Sequence, residues 1–418
     1  MTRSVRTSAF IAVGSLCTLI AAACGAPASS GGGGGGTAAG GEVVVGAPVS
    51  LSGKLAKTGL LTKEGYEFCA DTVNAKGGIP LADGTTAKMN VKFQDDTSVS
   101  DVSAQIVDQF NDEGIKFILS PYGSSATAAA APVVERNGQL MADSLGTDDT
   151  IFTHGYTRTF GVMSTASEYA GSMITAINEL APAKPATVAI ISADDGFSKT
   201  VAQYAKVGAE TLGWKVTQTV FVPNNTTDVA TAIVKVRGDN PDLVVMSGHL
   251  NEGTALIKQA AGLGLKPQAF AVTVAPPVPD FAKTLGATAE GVLGSSQWVA
   301  EVKAQGKYFG TAQQYSDAYT AKYGHAPDYH SASGSGACIA LALAIEKAGT
   351  TDVDKVRGAM AALDADTFYG HIKFDETGKN IAKPMVVVQV QNGKAVPVWP
   401  KAIATAELKW PATGSAAQ

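Results

Sequence analysis

The chain has 418 residues, 45% of them hydrophobic and 17% charged, with a formal net charge of −5. That balance excludes nucleic-acid binding through a basic surface. The length exceeds what one hydrophobic core usually fills, so at least two lobes are expected.

Met1 to Thr7 carry Arg3 and Arg6 and no acid, and they run into an apolar stretch, Ala9 to Ala23, that stops at Cys24. This is the layout of an export signal. Gly25 and a Gly/Ser/Ala/Pro segment follow in place of a basic flank, which disfavours a permanent membrane span. Ala21, Ala22 and Ala23 before Cys24 resemble the lipobox of bacterial lipoproteins, although Ala21 stands where that motif usually has Leu and Ile20 falls one residue early. The resemblance implies removal of residues 1–23 and acylation of Cys24, which would anchor the protein on the outer, extracytoplasmic face of the cell membrane. Cleavage after an Ala-x-Ala site, giving a free secreted protein, is the alternative. An acyl anchor contributes about 0.8 kcal/mol per buried methylene, so several chains hold a protein without any spanning helix. Residues 24–41, with six consecutive glycines from Gly31 to Gly36, have nothing to bury and read as a flexible tether. Loss of Arg3 and Arg6 leaves 30 basic residues against 37 acidic ones.

Beyond Gly41, short β-branched runs alternate with helical patterns and no internal repeat is evident. Strands are expected over Val43–Ala47, Met89–Phe93 and Lys116–Leu119, with helices near Leu61–Ala75, Val99–Asp112 and Ala126–Arg136. After a break around Gly161–Ser167 the pattern restarts with strands at Thr187–Ser192, Lys215–Val222, Leu243–Ser247 and Gln268–Val274. A helix over Thr200–Leu212 would place Val201, Tyr204, Ala205, Gly208 and Leu212 on one stripe. Long helices follow over Thr311–Tyr323 and Ser331–Ala348. Such alternation predicts α/β architecture, with parallel sheets and crossover helices. Cys69 and Cys338 are the cysteines of the folded part; buried thiols and a single bridge in an oxidising compartment are both open.

Several segments in order resemble the type I periplasmic solute-binding proteins, specifically the leucine/isoleucine/valine-binding family of ABC transporters. They are "VVVGAPVSLSGKLAKTG", "ADTVNAKGGIP", "GIKFILSPYGSSAT", "VAIISADDGFSKT", "GAETLGWKV", "DLVVMSGHLNEGTALIKQAAGLGLK", "LGATAEGVLGSSQW", "AIEKAGTTDVDKVRGAM" and "GHIKFDETGK". The resemblance covers essentially everything after Gly41. It implies two lobes joined by three crossovers, each lobe a parallel sheet flanked by helices, with ligand at the carboxyl ends of the strands, as is general for open α/β sheets. Lobe one is expected at 42–165 plus 298–385 and lobe two at 166–297 plus 386–418.

Gly123, Ser124 and Ser125 follow an apolar strand and precede a helix, and a helix N-terminus flanked by hydroxyls is a ready anion site. The resemblance implies that Ser124 meets a ligand carboxylate; an ordinary N-cap is the alternative. It further implies contacts from Gly146 and Thr147 and from Thr58 in the loop after Gly53. From the second lobe it implies rings over the ligand from Phe197 and His249, with Trp298 either facing the cleft or filling the hinge. Thr273 stands where amino-acid-binding members often carry an acid for the ligand ammonium. Either Asp148 or Asp149 then substitutes, or the ligand has no α-amino group, because a buried unpaired ammonium is costly.

No G-x-S-x-G elbow, H-E-x-x-H or phosphate loop is present, and the five histidines are scattered. The chain therefore reads as a non-enzymatic, monomeric binding component of an importer, taking an amino acid or related small carboxylate and docking on ABC permease subunits. No cofactor, metal or nucleic acid is expected. The other readings are a sensing receptor of the same fold, and a binder of amides or aromatic acids.

Overall fold

The structure, a computed structural model, describes residues 41–412 of the chain. The signal, Cys24 and nearly all of the tether lie outside the described residues. Among the described residues no helix is long and apolar enough to cross a membrane.

Two sheets form the framework. The first contains β1 (Glu42–Val49), β2 (Ile79–Pro80), β3 (Thr86–Asp95), β4 (Phe117–Leu119), β5 (Leu140–Asp143) and β6 (Thr159–Gly161) in the order β2-β3-β1-β4-β5-β6. All its pairs are parallel except β2 with β3. The helices that follow these strands are α1 (Ala56–Ala75), α2 (Ser100–Asp112) and α3 (Ser124–Arg136). The second sheet contains β7 (Thr187–Ala193), β8 (Lys215–Val222), β9 (Leu243–Ser247), β10 (Ala269–Val272) and β11 (Leu293–Ser296), which are parallel. Its helices are α4 (Ala166–Leu180), α5 (Gly196–Thr211), α6 (Ala230–Arg237), α7 (Leu250–Ala260) and α8 (Pro279–Leu285). Two hairpins, β12–β13 (Gln305–Gly306, Gly310–Thr311) and β14–β15 (Asp364–Thr367, Gly370–Lys373), and the helices α9 (Ala312–Tyr323), α10 (Tyr329–Ala348) and α11 (Val353–Ala361) come next. The chain then adds β16 (Val386–Gln391) and β17 (Lys394–Trp399) antiparallel to the edge of the second sheet. The result is a two-lobed α/β molecule. Central strands such as β9, whose five residues are all buried, are apolar on both faces because helices cover both.

The longest helices pack against each other through small residues. A Cβ added at Gly65 of α1 would lie 2.1 Å from the Ser331 carbonyl oxygen, and one at Gly334 of α10 would lie 2.8 Å from that of Thr62. Ser335 Oγ donates to Gly65 O at 2.7 Å across this contact. The same helices are joined by a Cys69–Cys338 disulfide, with the Cα atoms 6.2 Å apart. Of the two states the sequence left open for these cysteines, the structure has the bridge.

Helix starts differ from the periodicity. α1 opens at Ala56 and not near Leu61, which puts Thr58 in its first turn. α5 opens at Gly196 because Asp195 caps it, its carboxylate accepting from Ser198 N. The buried stripe of α5 is Phe197, Val201, Ala205 and Ala209, whereas Tyr204 and Leu212 are exposed, at 44% and 39%. Neighbours four apart share the narrow face against α4 and the sheet, and the residues offset from that row fall outside it.

The chain crosses between the sheets after β6, after β11 and before β16, and one residue at each crossing joins a common buried network. Ser164 N donates to Gln297 Oε1 at 3.0 Å, Gln297 Nε2 donates to Ser164 O at 2.8 Å, and Ser164 Oγ donates to Lys383 O at 2.7 Å. Lys383 Nζ donates to Gln297 O and, at 3.1 Å, to Gln297 Oε1. It also lies 4.6 Å from the centre of the Tyr369 ring. No carboxylate pairs with this ammonium among the described residues, and burial pushes its pKa down to about 7.

Two measurements test these features. Closing so long a loop should stabilise the fold by up to about 5 kcal/mol, so reduction, or paired Cys69→Ala and Cys338→Ala substitution, should lower the melting temperature by many degrees. An unshifted melt would show that the bridge does not constrain the unfolded chain. For Lys383 the folded pKa is depressed, so the unfolded chain holds the proton between about pH 7 and the ordinary lysine value. Its contribution to stability then rises with pH through that window, by up to about 1.4 kcal/mol per unit. Lys383→Met should abolish this slope and give its largest relative stabilisation at or below neutral pH, measured by denaturant melts from pH 6 to 10.

Candidate ligand-binding site

The cleft is built where strands of both sheets hand over to helices. After β4 the chain turns through Gly123, whose φ of 86° suits glycine, and α3 begins at Ser124. Gly123, not Ser124, is the N-cap residue, so the Ser124 hydroxyl is free to act elsewhere. Its Oγ accepts from Asp148 N at 3.0 Å and stands 3.5 Å from Thr147 Oγ1. These hydroxyls lie beside the first turn of α3, whose amides have no partner within the helix.

Asp143, at the end of β5, shapes the loop that carries Thr147. Its Oδ1 accepts from Leu145 N at 3.1 Å and Gly146 N at 2.7 Å, and burial pushes its pKa up to about 6. Gly146 is pressed against Thr127, with a built Cβ only 2.5 Å from its Cγ2. Gly146 thus holds the loop close to α3, and Thr147 is the residue of the pair that reaches the cleft.

From the second sheet, Asp195 caps α5 and His249 caps α7, and the two caps face each other. His249 Nε2 lies 3.2 Å from Asp195 Oδ2. Burial opposes charge on the imidazole, yet the Asp195 carboxylate holds its pKa above the ordinary value. Burial likewise opposes charge on Asp195, but His249 and the two bonds from Ser198 bring it down to about 2. His249 Nδ1 is buried on the side of α7, where a capping box with Glu252 closes the helix start, His249 N donating to Glu252 Oε2 at 3.2 Å. Phe197 packs edge-on to Tyr169, 5.1 Å between ring centres, and 5.4 Å from the His249 ring.

Three chambers meet at Tyr122 and His249, which line all of them. The largest, about 320 Å³, adds Ser50, Lys54, Leu55, Asp96, Ser124, Ser125, Asp195, Phe197, Asn224 and Asn225 among its walls. An inner chamber of about 20 Å³ is walled by Leu145, Thr147, Tyr169, Phe197, Val274 and Tyr329 with Ser124. A third, of about 30 Å³, is bounded by Lys54, Leu55, Lys57, Thr58 and Asn251. Across the mouth Lys57 Nζ pairs with Asp280 Oδ2 at 2.9 Å, and Thr200 Oγ1 donates to Asp148 Oδ1 at 3.1 Å. Both contacts join the two sheet systems across the mouth of the cleft.

Of the residues singled out from the sequence, the structure brings together Ser124, Ser125, Thr147, Phe197, His249 and, at the periphery, Thr58. Thr58 Oγ1 is spent on Leu55 O at 3.0 Å. Thr273 is fully buried behind the wall; its Oγ1 donates to Gly248 O at 2.6 Å and accepts from Gly248 N at 3.0 Å, which fixes the residue before His249. Trp298 fills the hinge: its Nε1 donates to Phe368 O at 3.1 Å and its ring packs on Tyr315. Asp148 and Asp149 line none of the three chambers. Asp149 accepts from Ser167 N at 2.9 Å, and Asp148 reaches across to α5, where only a glycine at 196 leaves it room.

The sequence reading missed Tyr122, Tyr169, Asp195 and Tyr329. Tyr122 sits in the same strand-to-helix turn as Ser124, and Asp195 has the spacing of a helix cap, so both carried a local signal. Tyr169 and Tyr329 lie within helices and carried none.

The geometry defines a class: a hinged, two-lobed protein that encloses a small molecule between its lobes. The model of the periplasmic binding protein family matches residues 42–395, and the chain belongs to that family. A curated relative, Leu/Ile/Val-binding protein homolog 8 of Brucella melitensis biotype 1, is 26% identical over 88% of this chain and 93% of its own length. The fold is also that of LivJ from Streptococcus pneumoniae, solved in complex with isoleucine, with a TM-score of 0.75, 22% identity and coverage of 85% and 97% of the two chains. A solute-binding protein from R. palustris, solved in complex with benzoate, gives a TM-score of 0.72 at 17% identity, covering 87% of this chain and 98% of its own.

If Ser124 belongs to the site, Ser124→Ala should weaken ligand binding roughly tenfold while lowering the melting temperature by only a few degrees, because one buried N–H loses its acceptor. Calorimetric titration checks this, and unchanged affinity in a folded variant would remove Ser124 from the site.

Proposed function

We propose that this chain is the extracytoplasmic solute-binding component of an ABC importer, capturing an amino acid or a related small carboxylate between its lobes. We divide it into lobe one, 42–165 plus 298–385, and lobe two, 166–297 plus 386–418. We further propose that residues 1–23 are removed and that Cys24 is acylated, which would tether a monomer to the outer face of the membrane beside its permease. The observation that carries the reading is the meeting of chambers at Tyr122 of one lobe and His249 of the other, so that a ligand there touches both. Ligand contacts made only in the closed form would favour closure, and the closed shape is the one a permease would recognise. No chemistry on a bound ligand is required.

A thermal-shift screen of the purified chain against amino acids, organic acids, amides and sugars tests this. A ligand at a hundred times its dissociation constant adds about 2.7 kcal/mol. One chemical class should raise the melting temperature by several degrees and be recovered unaltered. Turnover of the compound, or no shift with any class, would overturn the reading.

A further inference from the structure

The volumes of the three chambers decide where the bulk of a ligand can sit, an argument that rests on the proposed binding function. The inner and third chambers, at about 20 and 30 Å³, hold little more than a water molecule each. The large one, at about 320 Å³, is of ligand size. Its walls come from the segments after β1, β3, β4, β7, β8 and β9, so it stands at the carboxyl ends of strands of both sheets.

Backbone strain gathers on the same walls. Among the described residues five that are not glycine have positive φ, and three of them, Thr97 at 54°, Ser98 at 61° and Asn225 at 63°, line this chamber. The other two, Asn240 and Asn392, are asparagines in turns between elements, where that conformation is common. For a β-branched threonine it is an outlier, and it persists only where the surroundings over-determine it, as they do at ligand clamps. Asp95 Oδ1 accepts from Thr97 N at 2.8 Å, and Asp96 Oδ1 accepts from Ser98 N at 2.8 Å. Ser98 Oγ donates to Ser52 O at 2.6 Å and accepts from Leu55 N at 3.0 Å, which ties this corner to the loop after β1. On the side of the second sheet, Asn225 N donates to Glu252 Oε1, and Asn225 Oδ1 accepts from Asn251 Nδ2 at 2.6 Å.

The groups these corners leave for a ligand are polar. The carboxylates in the wall are engaged, Asp96 by Ser50 Oγ at 2.7 Å and Ser103 Oγ at 3.0 Å besides Ser98 N, and Asp195 by Ser198 and His249. The side chains of Lys54, Thr97, Ser100, Ser125 and Asn224 have no hydrogen-bond or ion-pair partner among the described residues, and neither has Asn225 Nδ2. An alkyl or aryl body here would strip water from three hydroxyls, two amides and an ammonium and return no bond. A body that carries hydroxyl groups answers them, because each hydroxyl both donates and accepts.

We propose that the ligand is a small hydroxylated carboxylate, a sugar acid in chemical class, whose hydroxyl-bearing body fills the large chamber between the Thr97–Ser98 and Asn225 corners and whose charge is met by Lys54.

The test is a calorimetric titration of the purified chain with pairs that differ only in hydroxyl groups: D-gluconate against hexanoate, and D-glycerate against propionate, with sorbitol as the uncharged counterpart of gluconate. Each hydroxylated acid should bind at least tenfold more tightly than its partner. Gluconate should exceed sorbitol by a similar factor, a preference that Lys54→Met should remove. Hexanoate or propionate binding as tightly as its hydroxylated partner would overturn this inference and leave the binding function standing. So would a ligand from the broader screen with none of these hydroxylated acids bound. Sorbitol binding as well as gluconate, or a preference that survives Lys54→Met, would overturn the assignment of the charge to Lys54. Failure of every compound here together with failure of the broader screen would overturn both.

Discussion

The architecture turns on Gln297. Its side-chain amide grips Ser164 of the first crossover through both ends, and its carbonyl groups receive the ammonium of Lys383 from the third, while Gln297 itself begins the second. Three strands that could flex independently are thereby made one joint. A lysine without a carboxylate partner is an expensive way to build it, but a carboxylate would lock the joint with a strong pair. Bonds to neutral oxygens fix which strands meet and leave the energy of any one arrangement modest. Behind the joint, Trp298 packs edge-on to Tyr315 and Phe368, which stack on each other.

The cleft follows the same economy of charge. Asp195 and His249 cap neighbouring helices, so each is needed for local structure, and their mutual pairing engages one of the two acids that line the large chamber. What remains along the cleft is a wall of hydroxyls beside helix amides. Thr273 contributes from behind by holding Gly248, and therefore the position of His249, through a pair of short bonds. A residue that never touches the ligand can thus set where the ring stands.

How much of this was legible in the sequence depends on the range of the interaction. Strand and helix alternation, and the turn that carries Ser124, are written in contiguous residues, and there the reading and the structure agree on the elements. Helix starts were misplaced where a cap decided them, as with Asp195 ahead of Gly196, since apolar periodicity begins only after the first turn. The stripe of α5 was drawn too wide because Tyr204 and Leu212 are apolar enough to satisfy a pattern yet lie off the contact row. The aromatic box and the Gln297 joint could not be read at all: Tyr169 and Tyr329 lie far apart in sequence, on α4 and α10, and nothing local marks Lys383 as buried. The commitment of each acid was equally hidden, because Asp148 and Asp149 differ from a free carboxylate only in partners that folding supplies.

Under the proposed function, the contacts across the mouth bear on what a ligand would contribute to closure. Lys57 and Asp280 are well exposed, at 71% and 48% of their side chains, and an ion pair in that setting contributes little and is screened by salt. The bond from Thr200 to Asp148 is better sheltered, and Gly196 gives the carboxylate access to the N-terminus of α5. Deeper in, the buried phenols of Tyr169 on α4 and Tyr329 on α10 are hydrogen-bonded to each other, a third contact between the two sheet systems. In the proposed carrier, closure has to be reversible, so the bonds across the mouth must be ones that water can replace when the lobes part.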